Sequence, residues 1–370
     1  MKQPLTGLTF LEIESLLPSL PSFRAKQLYK WIVRGVSDFD QMTDIPASLQ
    51  KQLHEQFAIF SGSVTACHED ADTKKIVITL QDGLKIEAVL LNDGKNRLTA
   101  CISTQAGCPA GCVFCKTGSL GFKRNLERGE IVEQYLHLKR IIEELPRTDA
   151  NQYEQEEEVF SPNQKKAKKN DKKIEEHVID NIVVMGMGEP FFNLDNLRKA
   201  IDYFNDKAGL NFSRRRITVS TCGVCEGLFE IAGEPFARLA LSLTTGDEEL
   251  RERLMPITKS NPLDKVHKAL KLFQDNGGGR VTLEVPLLGG INTRDKDAKS
   301  IAEFAKGLDT VVNIIPWNPV SGFVFEGKSL CEPSKNETAA FIKSLESFGL
   351  KITSRLRKGQ RIMGACGQLG

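Results

Sequence analysis

Three cysteines stand close together in Cys108-Pro-Ala-Gly-Cys112-Val-Phe-Cys115. Thiolates at C-x3-C-x2-C spacing on one loop can hold three irons of a 4Fe-4S cluster. No fourth cysteine follows at matching spacing, which leaves one iron open, as catalytic rather than structural metal sites require. Half a zinc ribbon or a ferredoxin-type electron carrier would use the same residue type. Zinc would want a second cysteine or histidine pair, yet the histidines (54, 68, 137, 177 and 267) are scattered. The open cluster is the preferred reading. Of the nine cysteines, Cys101 precedes this loop and Cys366 lies near the end of the chain. An odd, clustered set in a reducing compartment points to metal, redox or nucleophilic chemistry rather than disulfides. Cys222-Gly-Val-Cys225 has the spacing of a redox pair but is read as incidental, and Cys67 and Cys331 have no sequence partner.

The elements around the loop alternate. Strands are expected at 98–103, 181–185, 216–220, 238–243, 281–286 and 311–316, with helical patterns at 129–144, 194–207, 263–274 and 296–307. Six such repeats imply an α/β fold with a parallel sheet and right-handed crossovers. A partial barrel is preferred because polar motifs follow nearly every strand, at the rim where barrels place their chemistry. A doubly wound sheet would want a glycine-rich phosphate turn after its first strand, where this chain has cysteines. Upstream, residues 5–60 read as short helices, one over Phe23–Gly35. Then Lys75–Leu80 and Lys85–Leu91 flank Asp82-Gly83 as a hairpin. Residues 1–92 are therefore expected to form an accessory domain, 93–322 the partial barrel, and 323–370 a C-terminal extension. Residues 147–177, with blocks of glutamate and then lysine, read as a mobile charged insertion or a basic RNA-touching arm.

Composition narrows the class. With 40% hydrophobic and 26% charged residues over 370 positions, the chain can bury a large core. No apolar run approaches a membrane span, and Met-Lys-Gln-Pro-Leu-Thr-Gly does not resemble a signal peptide. A cytoplasmic protein without membrane contact is expected. A net charge of +2 favours no nucleic-acid partner by itself. Basic runs at Lys123-Arg124, Arg214-Arg215-Arg216 and 355–361 are local, and solvated faces explain them on charge alone.

The cysteine loop, followed after the next strand by Gly186-Met187-Gly188-Glu189-Pro190, resembles the radical-SAM superfamily. Glycines that allow close backbone approach, with one carboxylate, suit the ammonium of a methionyl group. The likeness narrows to the RlmN family, radical-SAM methyltransferases of adenosine C2 in 23S rRNA and tRNA. It rests on Phe23-Arg-Ala-Lys-Gln-Leu-Tyr-Lys-Trp, Asp38-Phe-Asp-Gln-Met-Thr, Cys101 through Cys115, Gly121-Phe-Lys-Arg-Asn-Leu, Arg216-Ile-Thr-Val-Ser220-Thr, Leu254-Met-Pro-Ile-Thr, Ile315-Pro-Trp-Asn318-Pro and Gly364-Ala-Cys366-Gly-Gln-Leu.

The resemblance implies a cluster on Cys108, Cys112 and Cys115, and SAM, two per turnover, at Gly188, Glu189, Ser220, Ser242, Leu243, Thr244 and Asn318. It implies that Cys366 carries a methyl group from which a deoxyadenosyl radical removes hydrogen, so that the carbon adds to the base. Cys101 then cuts the tether by thiol–disulfide chemistry, and Glu87 takes the C2 proton. The implied partners are 23S rRNA before ribosome assembly is complete, tRNA at the adenosine after the anticodon, and an electron donor such as flavodoxin, with the chain a monomer. The chain departs from the pattern twice. Ser242-Leu-Thr244-Thr245 stands where the family has Ser-Leu-His-Ala, and Arg357-Lys-Gly-Gln-Arg-Ile-Met replaces a more acidic run. The rival C8 methylating type (Cfr-like) usually has Gly-Met-Gly-Glu-Ala and Arg-Tyr-Asn-Pro. Glu189-Pro190 and Pro316-Trp317-Asn318-Pro319 favour C2. A non-methylating iron–sulfur protein that binds RNA or carries electrons is the other alternative, and Cys101 and Cys366 would be idle in it.

Overall fold

The computed structural model describes residues 2–94, 97–143, 179–354 and 357–370. The charged insertion expected at 147–177 lies outside the described residues, as do residues 355 and 356 of the C-terminal basic run. Three N-terminal helices come first: α1 (Phe10–Leu16), α2 (Ser22–Arg34) and α3 (Ala47–Gln56). Thr9 and Glu12 close a capping box at the start of α1, which satisfies backbone donors the first turn leaves free. Gly35, at φ 90°, ends α2 in the left-handed conformation that favours glycine.

A ten-stranded sheet follows in simple sequential order. Its first strands, β1 (Ser63–Asp70), β2 (Thr73–Thr79), β3 (Lys85–Asn92) and β4 (Leu98–Cys101), pair antiparallel. The Asp82-Gly83 turn sets the β2–β3 register, with Thr79 opposite Lys85. From β4 onward the pairing is parallel, through β5 (Ile179–Val184), β6 (Ile217–Thr221), β7 (Arg238–Ser242), β8 (Val281–Leu287), β9 (Thr310–Pro316) and a short β10 (Ile352–Ser354). All six expected barrel strands are present, and β10 adds a seventh parallel strand. The sheet is continuous across residue 92, where the accessory domain was expected to end.

The crossovers are α4 (Arg128–Glu143), α5 (Leu194–Asn205), α6 (Cys225–Ile231), α7 (Glu248–Leu254) with α8 (Leu263–Asp275), α9 (Asp295–Ala305) and α10 (Lys335–Ser347). Central strands bury one apolar face: Val281, Leu283, Val285 and Leu287 of β8 point to the same side and are all fully buried. The opposite face of that strand carries Thr282, Glu284 and Pro286. Among the described residues, no helix is long and apolar enough to cross a membrane.

Buried polar groups fasten the N-terminal segment to the barrel. Ser61 donates to the Glu133 carboxylate on α4 through its backbone N–H (2.7 Å) and hydroxyl (2.8 Å), and Gly62 N–H adds a third bond. One turn later His137 stacks on Phe60 at 4.2 Å, with neither ring nitrogen bonded among the described residues. Burial pushes the Glu133 carboxyl up to about 7 and the His137 imidazole down to about 4. The two act on stability with opposite signs. Glu133 ionises first in the unfolded chain, so its contribution falls as pH rises from about 4.5 to about 7. His137 charges first in the unfolded chain, so its contribution falls as pH drops from about 6.5 to about 4. Each swing is on the order of 3 kcal/mol, at 1.36 kcal/mol per unit, and in the native pair they largely cancel. His137→Phe is therefore expected to melt at steadily lower temperature as pH rises through this window, and Glu133→Gln at steadily higher temperature. Melting curves of the apoprotein between pH 4 and 8 check this, and parallel profiles for both variants would refute it.

Candidate active site

Every parallel strand from β4 to β9 delivers a polar or sulfur-bearing group to one rim of the sheet. After β4 the chain turns through Gly107 (φ 75°) into the three-cysteine loop. A Cβ at Gly107 would lie 1.8 Å from the carbonyl oxygen of Gly121, so close approach as well as backbone conformation demands glycine. Val113 N–H donates to Leu254 O (3.0 Å), tying the loop to α7. The thiols of Cys108, Cys112 and Cys115 all line one cavity. Burial pushes the Cys108 thiol up to about 12 and the Cys112 thiol well above its ordinary value. Three thiols on the wall of one cavity, all free of disulfides, are a donor set that fits an iron–sulfur cluster, because iron stabilises the thiolate forms that burial disfavours.

The same cavity is lined by Gly186, Gly188, Glu189, Ser220, Ser242, Glu284 and Asn318. Ser220 Oγ and Ser242 Oγ stand 3.2 Å apart on neighbouring strands, so the rim offers hydroxyls, carboxylates and an amide to a polar ligand beside the thiols. The donor set fits SAM. A Cβ on Gly186 would meet Ser103 Oγ at 2.6 Å, and one on Gly188 the Gln105 side chain at 2.6 Å. The glycines of this turn thus answer to packing against the β4 loop. Glu189 is almost fully buried, and its carboxylate accepts from Thr221 Oγ1 (2.6 Å), Cys222 N–H (2.7 Å) and Phe191 N–H (3.0 Å). It braces the β5 and β6 loops against each other. Burial raises its carboxyl, and these bonds oppose the shift.

Not every expected contact converges here. Leu243 and Thr244 are completely buried, and neither lines the cavity among the described residues. Thr244 sits at φ 66°, costly for a β-branched residue. Three bonds hold it there: its N–H donates to Glu284 O (3.2 Å), its carbonyl accepts from Asn292 Nδ2 (2.9 Å) and its hydroxyl donates to Met255 Sδ (3.1 Å). Cys222, read as incidental, is in fact buried in the cavity wall. Burial, then the Glu189 carboxylate, pushes its thiol up. Position after a β-strand was the signal that could have found it.

A second cavity of about 370 Å³ adjoins the first, and Met185, Ile315, Asn318, Cys366 and Leu369 line both. Cys101, at the end of β4, and Cys366, in the C-terminal segment, both line this second cavity. Asn318 Nδ2 donates to Cys366 O (2.9 Å). Lys116 N–H donates to Gly367 O (2.8 Å), Thr117 Oγ1 to Leu369 O (2.6 Å) and Gln368 Nε2 to Pro319 O (3.0 Å). The segment around Cys366 is therefore held to the cysteine loop on one side and to the end of β9 on the other. Glu87 lies beneath it: its carboxylate accepts from Lys75 Nζ (2.9 Å) and from Gly370 N–H (3.0 Å).

Comparison with known proteins agrees with this geometry. The radical SAM superfamily model matches residues 102–305, and the model of the ribosomal RNA large subunit methyltransferase N-terminal domain matches 5–59. A relative from Treponema denticola, named as a probable dual-specificity RNA methyltransferase RlmN, is 44% identical, with 100% of this chain and 96% of that protein covered. The chain belongs to the RlmN family. An RlmN from Lawsonia intracellularis is 35% identical over 99% of this chain and 96% of its own length. The crystal structure of a radical SAM methyltransferase from Sphaerobacter thermophilus superposes with a TM-score of 0.86, at 32% identity, covering 99% of each chain. RlmN proteins are SAM-dependent radical RNA methyltransferases, and the partial barrel with its N-terminal unit is shared over nearly the whole length. Cys112→Ala in this member is expected to lose most of its bound iron, read by iron and sulfide analysis after anaerobic reconstitution. Full iron content would refute the ligand assignment.

Proposed function

We propose that this chain methylates C2 of adenosine in 23S rRNA and in tRNA next to the anticodon, through methyl-carrying Cys366 and resolving Cys101. The observation that carries the reading is that these two cysteines line one cavity adjoining the three-cysteine cavity. Neither is needed as a cluster ligand. When bound, SAM and the cluster on Cys108, Cys112 and Cys115 supply the methyl group and the radical that activates it.

The chain's own residues do the rest. Cys366 presents the methyl carbon to the base, its position fixed through Asn318. Glu87 accepts the C2 proton once the carbon–carbon bond has formed and the adduct has given up one electron to the oxidised cluster held by Cys108, Cys112 and Cys115. The Cys101 thiolate then attacks Cys366 sulfur. A Cys101–Cys366 disulfide forms, the sulfur–carbon bond breaks with its electron pair on carbon, and that carbon takes a proton to become the product methyl group. An external reductant supplies two electrons to restore both thiols. Gly188, Glu189, Ser220, Ser242, Leu243, Thr244 and Asn318 are assigned to SAM, two per turnover, Leu243 and Thr244 through the backbone they hold. Residues 1–92 serve RNA contact. The enzyme acts in the cytoplasm as a monomer, on rRNA before ribosome assembly is complete, with electrons from a donor such as flavodoxin.

The test is mass spectrometry of nucleosides from rRNA and tRNA after anaerobic reaction of the reconstituted protein with SAM and a reductant. 2-Methyladenosine from both RNAs is the expected product. 8-Methyladenosine, or no modified adenosine with an intact cluster, would overturn the reading.

A further inference from the structure

Arg251 on α7 is the largest completely buried side chain among the described residues, with no exposed surface. Its guanidinium donates to Leu243 O (3.0 Å), Thr258 Oγ1 (2.7 Å), Cys222 O (2.6 Å) and Ser242 O (3.2 Å). All four acceptors are neutral. Among the described residues no carboxylate forms an ion pair with it, whereas buried Glu87 and Asp297 each have a cationic partner. A buried charge without a counter-charge is costly, and neutral acceptors offset only part of that cost. Something else in its surroundings must carry negative charge.

The geometry names it. Cys222 and Ser242, whose carbonyls hold the guanidinium, line the cavity of the three cysteines. Leu254, three residues along α7, accepts from Val113 inside the cysteine loop. Burial disfavours the Arg251 cation, and negative charge on the Cys222 and Cys112 sulfurs would favour it more than the Glu248 carboxylate does. The cavity wall otherwise contributes the carboxylates of Glu189 and Glu284. Three thiolates carrying a cluster would add further negative charge in a site of low dielectric, where charge interactions are strong.

We infer that Arg251 is a positioning residue for the cluster's charge, a buried cation that favours the reduced over the oxidised cluster and so raises its reduction potential. An iron–sulfur potential responds to nearby charge and hydrogen bonding, and an added electron is stabilised by an uncompensated cation behind the ligand loop. The inference rests on the reading of Cys108, Cys112 and Cys115 as cluster ligands.

The experiment is an anaerobic redox titration of the reconstituted protein, following the reduced cluster by electron paramagnetic resonance. Arg251→Gln removes the charge and keeps hydrogen-bonding groups. It is expected to shift the reduced-to-oxidised ratio at a given potential at least about tenfold toward oxidised, a fall of about 59 mV. Thr258→Asp leaves Arg251 in place but supplies a carboxylate partner, and should shift the potential in the same direction. Thr258→Val removes one hydrogen bond without touching charge. It should lower the apoprotein's melting temperature and leave the potential where it is. A purely structural arginine predicts melting-temperature losses and equal midpoints throughout. Equal midpoints in wild type and Arg251→Gln overturn the inference; should that variant not fold, equal midpoints in wild type and Thr258→Asp do so. A wild-type chain that holds no cluster overturns the reading of the cysteine loop, and this inference with it.

Discussion

Cys366→Ala is expected to abolish adenosine methylation while leaving the cluster loaded, and Cys101→Ala to leave a protein–RNA adduct that survives denaturation. The opposite outcomes follow from the two positions on one cavity. Cys366 is the exposed member of the pair and Cys101 the buried one, at the end of a strand that pairs on both sides. An accessible thiol suits the carrier and a buried one, held in a strand, the resolving role. Without the carrier, no carbon reaches the base. Without the resolving thiolate, the carbon–sulfur bond to Cys366 has no nucleophile to break it, so each enzyme stops after one attachment. The double variant should form no adduct, because the carrier acts first. Denaturing electrophoresis with labelled RNA, together with nucleoside analysis, reads all three. Neither cysteine is bound up with Cys108, Cys112 or Cys115 in sequence, so iron content should stay at the wild-type level. Normal turnover in either single variant would remove the two-cysteine scheme.

How far the residues announce this arrangement depends on the range of the interaction. The six barrel strands and the Asp82-Gly83 hairpin are legible because apolar runs and turn chemistry are local signals. The cysteine loop is legible for the same reason. Strand β10 is three residues long and, among the described residues, pairs only with β9, too short to leave a periodic trace. Arg251 lies in Glu248-Glu-Leu-Arg-Glu-Arg-Leu, which reads as a charged surface helix. Its burial follows from carbonyls at Cys222, Ser242 and Leu243, delivered by two other strands. Glu189 is similar: the motif suggests a ligand carboxylate, and its partners at Thr221 and Cys222 come from the next strand. The placement of Cys366 over the rim depends on contacts with residues 48 to more than 250 positions away, which only the family resemblance anticipates. Sequence pattern exposes which groups exist and which strand ends carry them; the tertiary contacts decide which groups face the cavity.

The second large effect concerns Lys75. Register places Val77 opposite Glu87 and Lys75 opposite Val89, so Lys75 and Glu87 are diagonal neighbours on one face of the hairpin, within reach across strands. Both are almost fully buried, and Nζ stands 2.9 Å from the carboxylate. Lys75 also donates to Met363 O (3.2 Å), while Glu87 accepts from Gly370 N–H. This one ion pair therefore grips the C-terminal segment at two points flanking Cys366. Lys75→Met leaves the carboxylate buried with one backbone donor, a loss of about 3–5 kcal/mol for breaking one side of such a pair. Removing the second charge should return much of it, because two neutral side chains of similar volume escape the desolvation cost. Lys75→Met/Glu87→Gln is thus expected to be more stable than Lys75→Met alone, a coupling read directly by denaturant titration of the four proteins in the cycle. Activity should follow another order. Glu87→Gln keeps the lysine and its bond to Met363 but has no carboxylate to take the C2 proton, so methylation should fall by roughly 10²–10⁴-fold in it and in the double variant alike. Stability regained without activity in the double variant separates the carboxylate's chemical role from its part in holding the segment. Activity regained together with stability would assign Glu87 to the fold alone.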